Sequence, residues 1–206
     1  MKKFKGLYRI ESSRLAGWDY GSNAAYFVTI CTANRNHYFG EIRDGVMQLS
    51  EIGVIAQTFW QEIPQHFHFV GLGSCVIMPN HVHGVIIIDK PDCVFGGNSD
   101  NGDCCRDVAY NVSTTIPNQS PGITIDEKMS SISPKPGSLS IIIRSYKSAV
   151  TKHAHQVDPH FTWQSRYHDH VIRNPESGCR IETYIQNNVK NWTTDRFKNF
   201  VLTPNA

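Results

Sequence analysis

Two histidines separated by one residue, His81 and His83, carry the clearest chemical signal in the chain. They follow a Pro79-Asn80 turn and open an apolar, β-branched run, which predicts a strand from about His81 to Ile88. Because side chains alternate across a strand, both imidazoles leave the same face and could bind one metal ion. The same spacing also fits two half-exposed strand histidines that bind nothing.

A second candidate group lies near the other end of the chain, on a predicted helix from Pro175 to about Val189. Asn174 suits the N-cap of this helix, and Pro175 suits its first turn. Tyr184 and Asn188 stand at positions i and i+4, so their side chains share one helix face. Taken alone, the pair also fits an interface tyrosine and a helix-end amide.

Hydrophobic periodicity predicts the elements that must position these residues. Strands are expected over residues 26–32, 69–78, 81–88 and 167–173, a hairpin over 39–49 that turns at Asp44-Gly45, and helices over 50–65, 138–154 and 175–189. The run 26–32 is dense in β-forming residues, which indicates a central strand. Residues 167–173 alternate like an edge strand.

Residues 89–136 differ in character from the rest of the chain. They are polar, acidic and rich in turn-forming residues, without a stable period. We interpret them as a mobile insertion within a single domain that spans residues 1–206. Cys104-Cys105 in this segment could bind a metal or be redox-active, but an incidental exposed pair is the simpler interpretation.

The net charge is only +2, but its distribution along the chain is uneven. Residues 1–22 contain five Lys or Arg and two acidic residues, and residues 137–206 contain nine and five. These basic ends hint at phosphate contacts, and they fit ordinary solvated faces as well. The sequence shows no membrane span, no signal-peptide core and no disulfide framework among its six cysteines. We therefore expect a cytoplasmic protein without a membrane partner.

Taken together, the motifs resemble those of the single-tyrosine HUH transposases, and especially the REP-associated tyrosine transposase branch. The resemblance covers nearly the whole chain outside residues 89–136. Its motifs are Pro79-Asn80-His81-Val82-His83-Gly84, Tyr184 to Asn188, Arg14 to Tyr20, Tyr26 to Thr32, Trp163-Gln164 and Asp169 to Arg173.

The resemblance implies both a fold and a chemistry. The fold is an α+β domain with a ferredoxin-like antiparallel sheet and helices mainly on one face. The histidine strand would be central, and the Tyr184 helix would cross the open face. The activity is metal-dependent cleavage and rejoining of single-stranded DNA, at hairpin or REP-like sites, by a homodimer. Tyr184 falls on the nucleophile that forms a 5′-phosphotyrosine, and His81, His83 and Asn188 fall on the ligands of a Mg²⁺ or Mn²⁺ ion.

Several assignments at this site stay open. Asn188 is shorter than a glutamine, so Asn187 or Gln186 could replace it as the third ligand. Tyr146 and Tyr167 are rival nucleophiles. Tyr146 belongs to a core-facing stripe, however, and Tyr167 has no amide residue one helical turn further on.

Other residues are candidates for contact with DNA. His168 and His170 form another same-face pair beside Asp169, with a supporting role or a DNA contact. The basic residues that we expect to contact DNA are Arg14, Arg144, Lys147 and Arg173.

Two other function classes remain as alternatives. A domesticated protein could hold DNA hairpins without cutting them, and it would need neither the metal nor Tyr184. A metal phosphoesterase that uses water as its nucleophile would need carboxylate ligands, which the histidine strand does not offer nearby.

Overall fold

The computed structural model describes residues 14–91 and 134–194, together with the backbone of two short strands near the N-terminus. The strands are β1 (Lys3–Phe4), β2 (Leu7–Tyr8), β3 (Ala24–Cys31), β4 (Gly40–Arg43), β5 (Val46–Leu49), β6 (Val70–Met78), β7 (His81–Ile88) and β8 (His168–Ile172). The α-helices are α1 (Glu51–His66), α2 (Leu139–Ala154) and α3 (Pro175–Asn187). Most of the predicted insertion, with Cys104-Cys105, lies outside the described residues.

The main sheet has four strands in the order β6-β7-β3-β8, and each neighbouring pair is antiparallel. Along the chain, these strands and the first two helices follow the order β3, α1, β6, β7, α2, β8, which is the ferredoxin-like arrangement. The predicted α+β fold class is therefore confirmed. The histidine strand β7 and the strand β3 are central, and β8 is an edge strand, as the sequence predicted.

Helices α1 and α2 cover one face of the sheet. Ser50 caps α1, because its hydroxyl accepts a hydrogen bond from the Gly53 N–H. Trp60 of α1 meets Tyr146 of α2 edge to face, with ring centroids 5.4 Å apart, and the Tyr146 hydroxyl donates to the Ala56 carbonyl. These contacts place the main hydrophobic core between the two helices and the sheet.

The close approach of α1 to β7 fixes the direction of the histidine side chains. A Cβ atom at Gly84 would overlap the Trp60 ring, so Gly84 faces the helices. Because side chains alternate, the neighbouring odd-numbered residues of β7 face the opposite side of the sheet. His81 and His83 therefore project onto the face that α1 and α2 leave open.

Helix α3 lies on this open face. Asn174 caps it by accepting a hydrogen bond from the Ser177 N–H, and Ile185 is its buried residue. The helix ends at Asn187, two residues before the predicted end, because the Asn188 N–H donates to Ile185 in a tightened last turn. Among the described helices, none has the length and apolar character needed to cross a bilayer.

Candidate metal and nucleophile site

The two histidines of β7 lie side by side on the open face. Their ring centroids are 4.4 Å apart and their planes are inclined by 72°. Both side chains are buried, with exposed fractions of 0% for His81 and 1% for His83. The structure therefore differs from the alternative of two half-exposed strand histidines.

Asn80 determines where His81 carries its proton. The side-chain oxygen of Asn80 lies 2.8 Å from His81 Nδ1, and an amide oxygen can only accept, so the proton is on Nδ1. The orientation of this amide is itself fixed, because Asn80 Nδ2 donates to the Arg35 carbonyl at 3.1 Å. In the neutral imidazole, Nε2 of His81 is then the nitrogen that can bind a metal ion.

His83 is held in the same way from the neighbouring strand β3. Its Nδ1 lies 2.9 Å from the Thr29 hydroxyl, and Thr29 is the residue opposite His83 in the sheet. The ring also stacks on Phe27, with centroids 5.3 Å apart. Nε2 of His83 consequently points towards helix α3.

Tyr184 meets His83 on the open face. Its hydroxyl lies 3.3 Å from His83 Nε2, and its ring contacts Phe27 edge to face at a centroid distance of 6.0 Å. The side chain is 44% exposed, so a large substrate could reach the phenol. The structure thus brings the predicted nucleophile and the predicted histidine ligand together within one chain.

Asn188 is the amide that enters this site. It is 2% exposed, and its Oδ1 is buried without a hydrogen-bond partner among the described residues. The side-chain amide of Asn187 donates a hydrogen bond to the Thr183 carbonyl, and Gln186 is exposed. Of the three amides that the sequence left open, Asn188 is therefore the one placed for a ligand role.

Of these groups, His83, Tyr184 and Asn188 line one cavity of about 500 Å³. The cavity is lined by Phe27, Thr29, His83, Tyr184, Asn188, Asn191 and Thr194. Within the described ranges, no three His, Cys, Asp or Glu side chains form a metal-binding group. An ion here would thus need the Asn188 oxygen besides the two imidazoles, and that buried oxygen with no other partner fits the role.

Sequence reasoning missed the far wall of the site. Trp192 is 6% exposed, and its ring lies 6.1 Å from His81 and 5.7 Å from His37, whose pKa is lowered by burial. Asn191 and Thr194, which line the cavity, also follow α3 in a stretch where the sequence predicts no element. A tryptophan in an otherwise polar segment was the available signal.

The rival nucleophiles have less suitable settings. Tyr146 is 3% exposed, and burial holds its pKa well above the usual value. Burial also raises the pKa of Tyr167, whose hydroxyl accepts a hydrogen bond from Arg14 at 2.6 Å. Neither phenol lines the cavity with His83.

The second histidine pair lies on the edge strand beside the site. His168 and His170 of β8 are opposite Thr29 and Phe27 of β3, so they project onto the same open face as His83. Both are exposed. Asp169 between them points to the other face, where its side chain is 1% exposed.

The basic residues expected to contact DNA lie in two places. Arg144 and Lys147 line a groove of about 580 Å³ beside α2, here called the α2 groove, together with Lys152 and Arg166. The ammonium group of Lys147 donates to the carbonyls of Gln164 and Arg166, and burial lowers its pKa.

The other two predicted contacts, Arg14 and Arg173, lie near Asp169. Arg14 approaches its carboxylate to 3.8 Å, and Arg173 lines a small cavity beside it. The role of all four basic residues in binding DNA stays a prediction.

The sequence matches no protein-family model. An uncharacterized protein of Haemophilus influenzae (strain Rd KW20) is 33% identical over 193 residues, covering 93% of this chain and 94% of the relative. The chain belongs to that protein's family. Because the relative is uncharacterized, membership of the family by itself assigns no activity.

Two solved structures overlap with this fold. A REP-associated tyrosine transposase bound to a REP hairpin is 15% identical, with a TM-score of 0.48, over 98% of this chain and 76% of the other. A proposed transposase of Deinococcus radiodurans R1 is 13% identical, with a TM-score of 0.40, over 91% of this chain and 97% of the other. At TM-scores below 0.5, neither overlap bears on what this chain does.

Proposed function

We propose that this chain is a metal-dependent transposase that cleaves and rejoins single-stranded DNA, with Tyr184 as the nucleophile. The observation that carries the proposal is the 3.3 Å contact between the Tyr184 hydroxyl and His83 Nε2. It joins an accessible phenol to His83 of the buried histidine pair, in a cavity that Asn188 also lines. A nucleophile beside a metal-binding group is one arrangement that supports phosphodiester cleavage.

The ligand set would be Nε2 of His81, Nε2 of His83 and Oδ1 of Asn188. Asn80 and Thr29 engage the opposite ring nitrogens, and such contacts orient metal-binding histidines. Two nitrogens and one oxygen suit Mn²⁺ better than Mg²⁺, which prefers oxygen ligands throughout. When bound, the ion would neutralise charge on the non-bridging oxygens of the scissile phosphate.

Tyr184 would carry out the transfer itself. Its phenolic oxygen forms a bond to phosphorus while the bond from phosphorus to the 3′-oxygen of the DNA breaks. The phenol loses a proton, and the leaving oxygen gains one and becomes a 3′-hydroxyl. The resulting 5′-phosphotyrosine retains an ester bond, so a 3′-hydroxyl can attack it in the reverse direction and rejoin the strand.

The DNA backbone would bind along the α2 groove. Its basic residues are Arg144, Lys147, Lys152 and Arg166, and none of its described lining residues is acidic. Serine and threonine hydroxyls in the same groove can donate to phosphate oxygens. Because Lys147 already donates to two carbonyls, we expect Arg144, Lys152 and Arg166 to supply most of the phosphate contacts.

The direct test is the formation of a covalent adduct between protein and DNA. The full chain is incubated with labelled hairpin DNA carrying single-stranded flanks, in Mn²⁺ or Mg²⁺, and analysed on denaturing gels. We expect a labelled band at the mass of protein plus one DNA fragment with the wild type, and no such band with Tyr184→Phe. Tyr38→Phe is the matched control, because it removes a phenol that donates to the His160 carbonyl outside the cavity.

Two results would remove the proposal. One is the absence of an adduct with the wild type in either metal and with every hairpin tested. The other is an adduct of equal yield with Tyr184→Phe, which would assign the nucleophile to another residue.

A hairpin-binding protein that does not cut is the second candidate. The contact between the Tyr184 hydroxyl and His83 Nε2 also favours this candidate, because the phenol occupies the nitrogen that an ion would need. This candidate predicts hairpin affinity that is unchanged in Tyr184→Phe and in His81→Ala, and no adduct in any metal. Hairpin affinity and adduct yield, measured on the same three proteins, separate the two functions.

A further inference from the structure

The ring of Phe27 contacts both halves of the proposed site. It stacks on the His83 ring, with centroids 5.3 Å apart and planes inclined by 26°. It also meets the Tyr184 ring edge to face, at a centroid distance of 6.0 Å and an angle of 89°. Aromatic pairs prefer both of these arrangements, so Phe27 stabilises the orientation of a proposed metal ligand and of the proposed nucleophile.

The sheet determines where this ring lies. Phe27 precedes Thr29 by two residues in β3, so both side chains project onto the open face. Thr29 is opposite His83 and Phe27 is opposite Val85, which makes Phe27 a diagonal neighbour of His83 across the strand pair. The Phe27 side chain is half-buried and lines the same cavity as His83.

Helix α3 places Tyr184 but does not fix the direction of its ring. The buried residue of the helix is the adjacent Ile185, whereas the Tyr184 side chain is 44% exposed. In the part of the chain that the structure describes, the Tyr184 ring contacts Phe27 and His83, and its hydroxyl lies 3.3 Å from His83 Nε2. Two aromatic neighbours and this one hydrogen bond therefore orient the phenol.

The hydrogen bond cannot orient the phenol throughout the proposed reaction. His83 Nε2 belongs to the proposed ligand set, and an imidazole nitrogen that binds an ion has no lone pair left for a phenolic proton. The Tyr184 oxygen must also turn from His83 to the scissile phosphorus before it can attack. The edge-to-face contact with Phe27 does not involve the His83 nitrogen, so it can persist through both changes.

We propose that Phe27 is a positioning residue that aligns Tyr184 with the scissile phosphate. The inference rests on the proposed function, because it takes Tyr184 as the nucleophile. Phe27 is itself held by its stacking on His83, whose ring Thr29 engages from the same strand. A misplacement of about 1 Å near a reacting group can lower a rate by about 100-fold, so restricting the motion of the phenol affects cleavage directly.

The kinetic test separates alignment of the nucleophile from binding of DNA and metal. Phe27→Leu keeps an apolar side chain in the sheet and removes the ring. At saturating hairpin DNA and Mn²⁺, we expect its single-turnover rate of adduct formation to fall about tenfold below that of the wild type. Its Kd for the hairpin, measured by fluorescence anisotropy in EDTA at fixed salt, should equal that of the wild type, because the phosphate contacts are unchanged.

Two further variants control for the loss of packing. Val85→Ala removes apolar volume at the position opposite Phe27 on the same face, and it leaves every ring of the site in place. Its rate should match that of the wild type. Phe27→Tyr restores a ring of the same size and should recover most of the rate lost in Phe27→Leu, with the DNA still attached to Tyr184 by mass spectrometry of the tryptic peptides.

A measurement on the wild-type protein tests the same contact if Phe27→Leu does not fold. Nuclear Overhauser effects between the ring protons of Phe27 and Tyr184 report the edge-to-face contact, and Tyr184→Phe assigns the tyrosine signals. We expect these effects to persist in saturating Zn²⁺, a diamagnetic ion that accepts nitrogen and oxygen ligands. Their loss on addition of Zn²⁺ would overturn the proposal.

Three kinetic results would also overturn it. One is an unchanged rate in Phe27→Leu. Another is a rate deficit that disappears at higher Mn²⁺, because the ring would then act on His83 alone. The third is an equal loss of rate in Phe27→Leu and Val85→Ala, because any loss of packing on the open face would then have the same effect.

The two proposals fail in different ways. A wild type that forms the adduct at the same rate as Phe27→Leu would overturn the role of Phe27 and leave Tyr184 as the nucleophile. A wild type that forms no adduct would overturn the cleavage reaction and, with it, the alignment role of Phe27.

Discussion

At the scale of single residues, the site depends on contacts that orient the histidines before any ion binds. Asn80 fixes the proton of His81 on Nδ1, and Thr29 engages the equivalent nitrogen of His83. Losing such a supporting contact typically weakens metal binding by about 10–100-fold. The two oriented rings and the buried Asn188 oxygen would therefore form the proposed ligand set with little freedom to rearrange.

Replacing Asn188 tests this ligand set directly. We expect Asn188→Ala to weaken Mn²⁺ binding by at least about tenfold, because the oxygen ligand is lost, and to reduce adduct yield accordingly. Mn²⁺ affinity is measured by electron paramagnetic resonance, which does not depend on catalysis. Asn187→Ala is the matched control, since that amide bonds to the Thr183 carbonyl outside the cavity. Equal Mn²⁺ affinity in the two variants would remove Asn188 from the ligand set.

At the scale of secondary structure, the packing of α1 on β7 decides which face receives the histidines. Gly84 lies between His83 and Val85, and the Trp60 ring occupies the space where a side chain would stand. The absence of a Cβ lets the helix approach the strand closely, so the apolar residues Val82 and Ile86 become fully buried. The histidines then have only the opposite face available.

This close approach makes Gly84 a sensitive position. We expect Gly84→Ala to lower the free energy of unfolding by about 1–3 kcal/mol, because the new methyl group displaces the buried Trp60 ring. Gly71→Ala is the matched control in the neighbouring strand β6, where a Cβ would meet Ile87 at an ordinary 3.7 Å. It should be neutral or stabilising by about 0.5 kcal/mol, since alanine suits a strand better than glycine.

Urea unfolding of both variants, followed by tryptophan fluorescence, gives the two changes in free energy. Equal stability of Gly84→Ala and Gly71→Ala would show that α1 does not pack against β7 as described.

At the scale of the whole molecule, one chain brings together groups that are far apart in the sequence. Tyr184 and His83 are 101 residues apart and meet at 3.3 Å within the same chain. Within this single chain, the phenol and His83 therefore meet without a residue from a second copy. The homodimer that the family resemblance implies stays a prediction, for which light scattering with and without DNA is the measurement.

Mixing two inactive variants tests whether each chain uses its own tyrosine. We expect a mixture of Tyr184→Phe and His81→Ala to form no adduct, because neither chain contains both parts of the site. Wild-type protein diluted to the same active-chain concentration is the control. If the mixture instead gives about one quarter or more of the adduct yield of this wild-type control, the tyrosine of one copy serves the histidines of another.

The kind and extent of the main strands and helices, and the residues that share a face, follow from the sequence alone. Strand alternation places His81 and His83 together, and helix periodicity does the same for Tyr184 and Asn188. The strands and α-helices between residues 24 and 189 were predicted with ends within two residues of those observed. These features are local, because backbone geometry sets the periods of two and 3.6 residues whatever the rest of the chain does.

The tertiary structure decided which of several local candidates meet. It placed Asn188 rather than Asn187 or Gln186 in the cavity, brought Trp192 against His81, and enclosed Asp169 behind Arg14. No local pattern contains this information, because it depends on the packing of segments that are distant in the chain. Arg14 and Tyr167, for example, are 153 residues apart, and only the packing of the segment that begins at Arg14 against the sheet edge joins them.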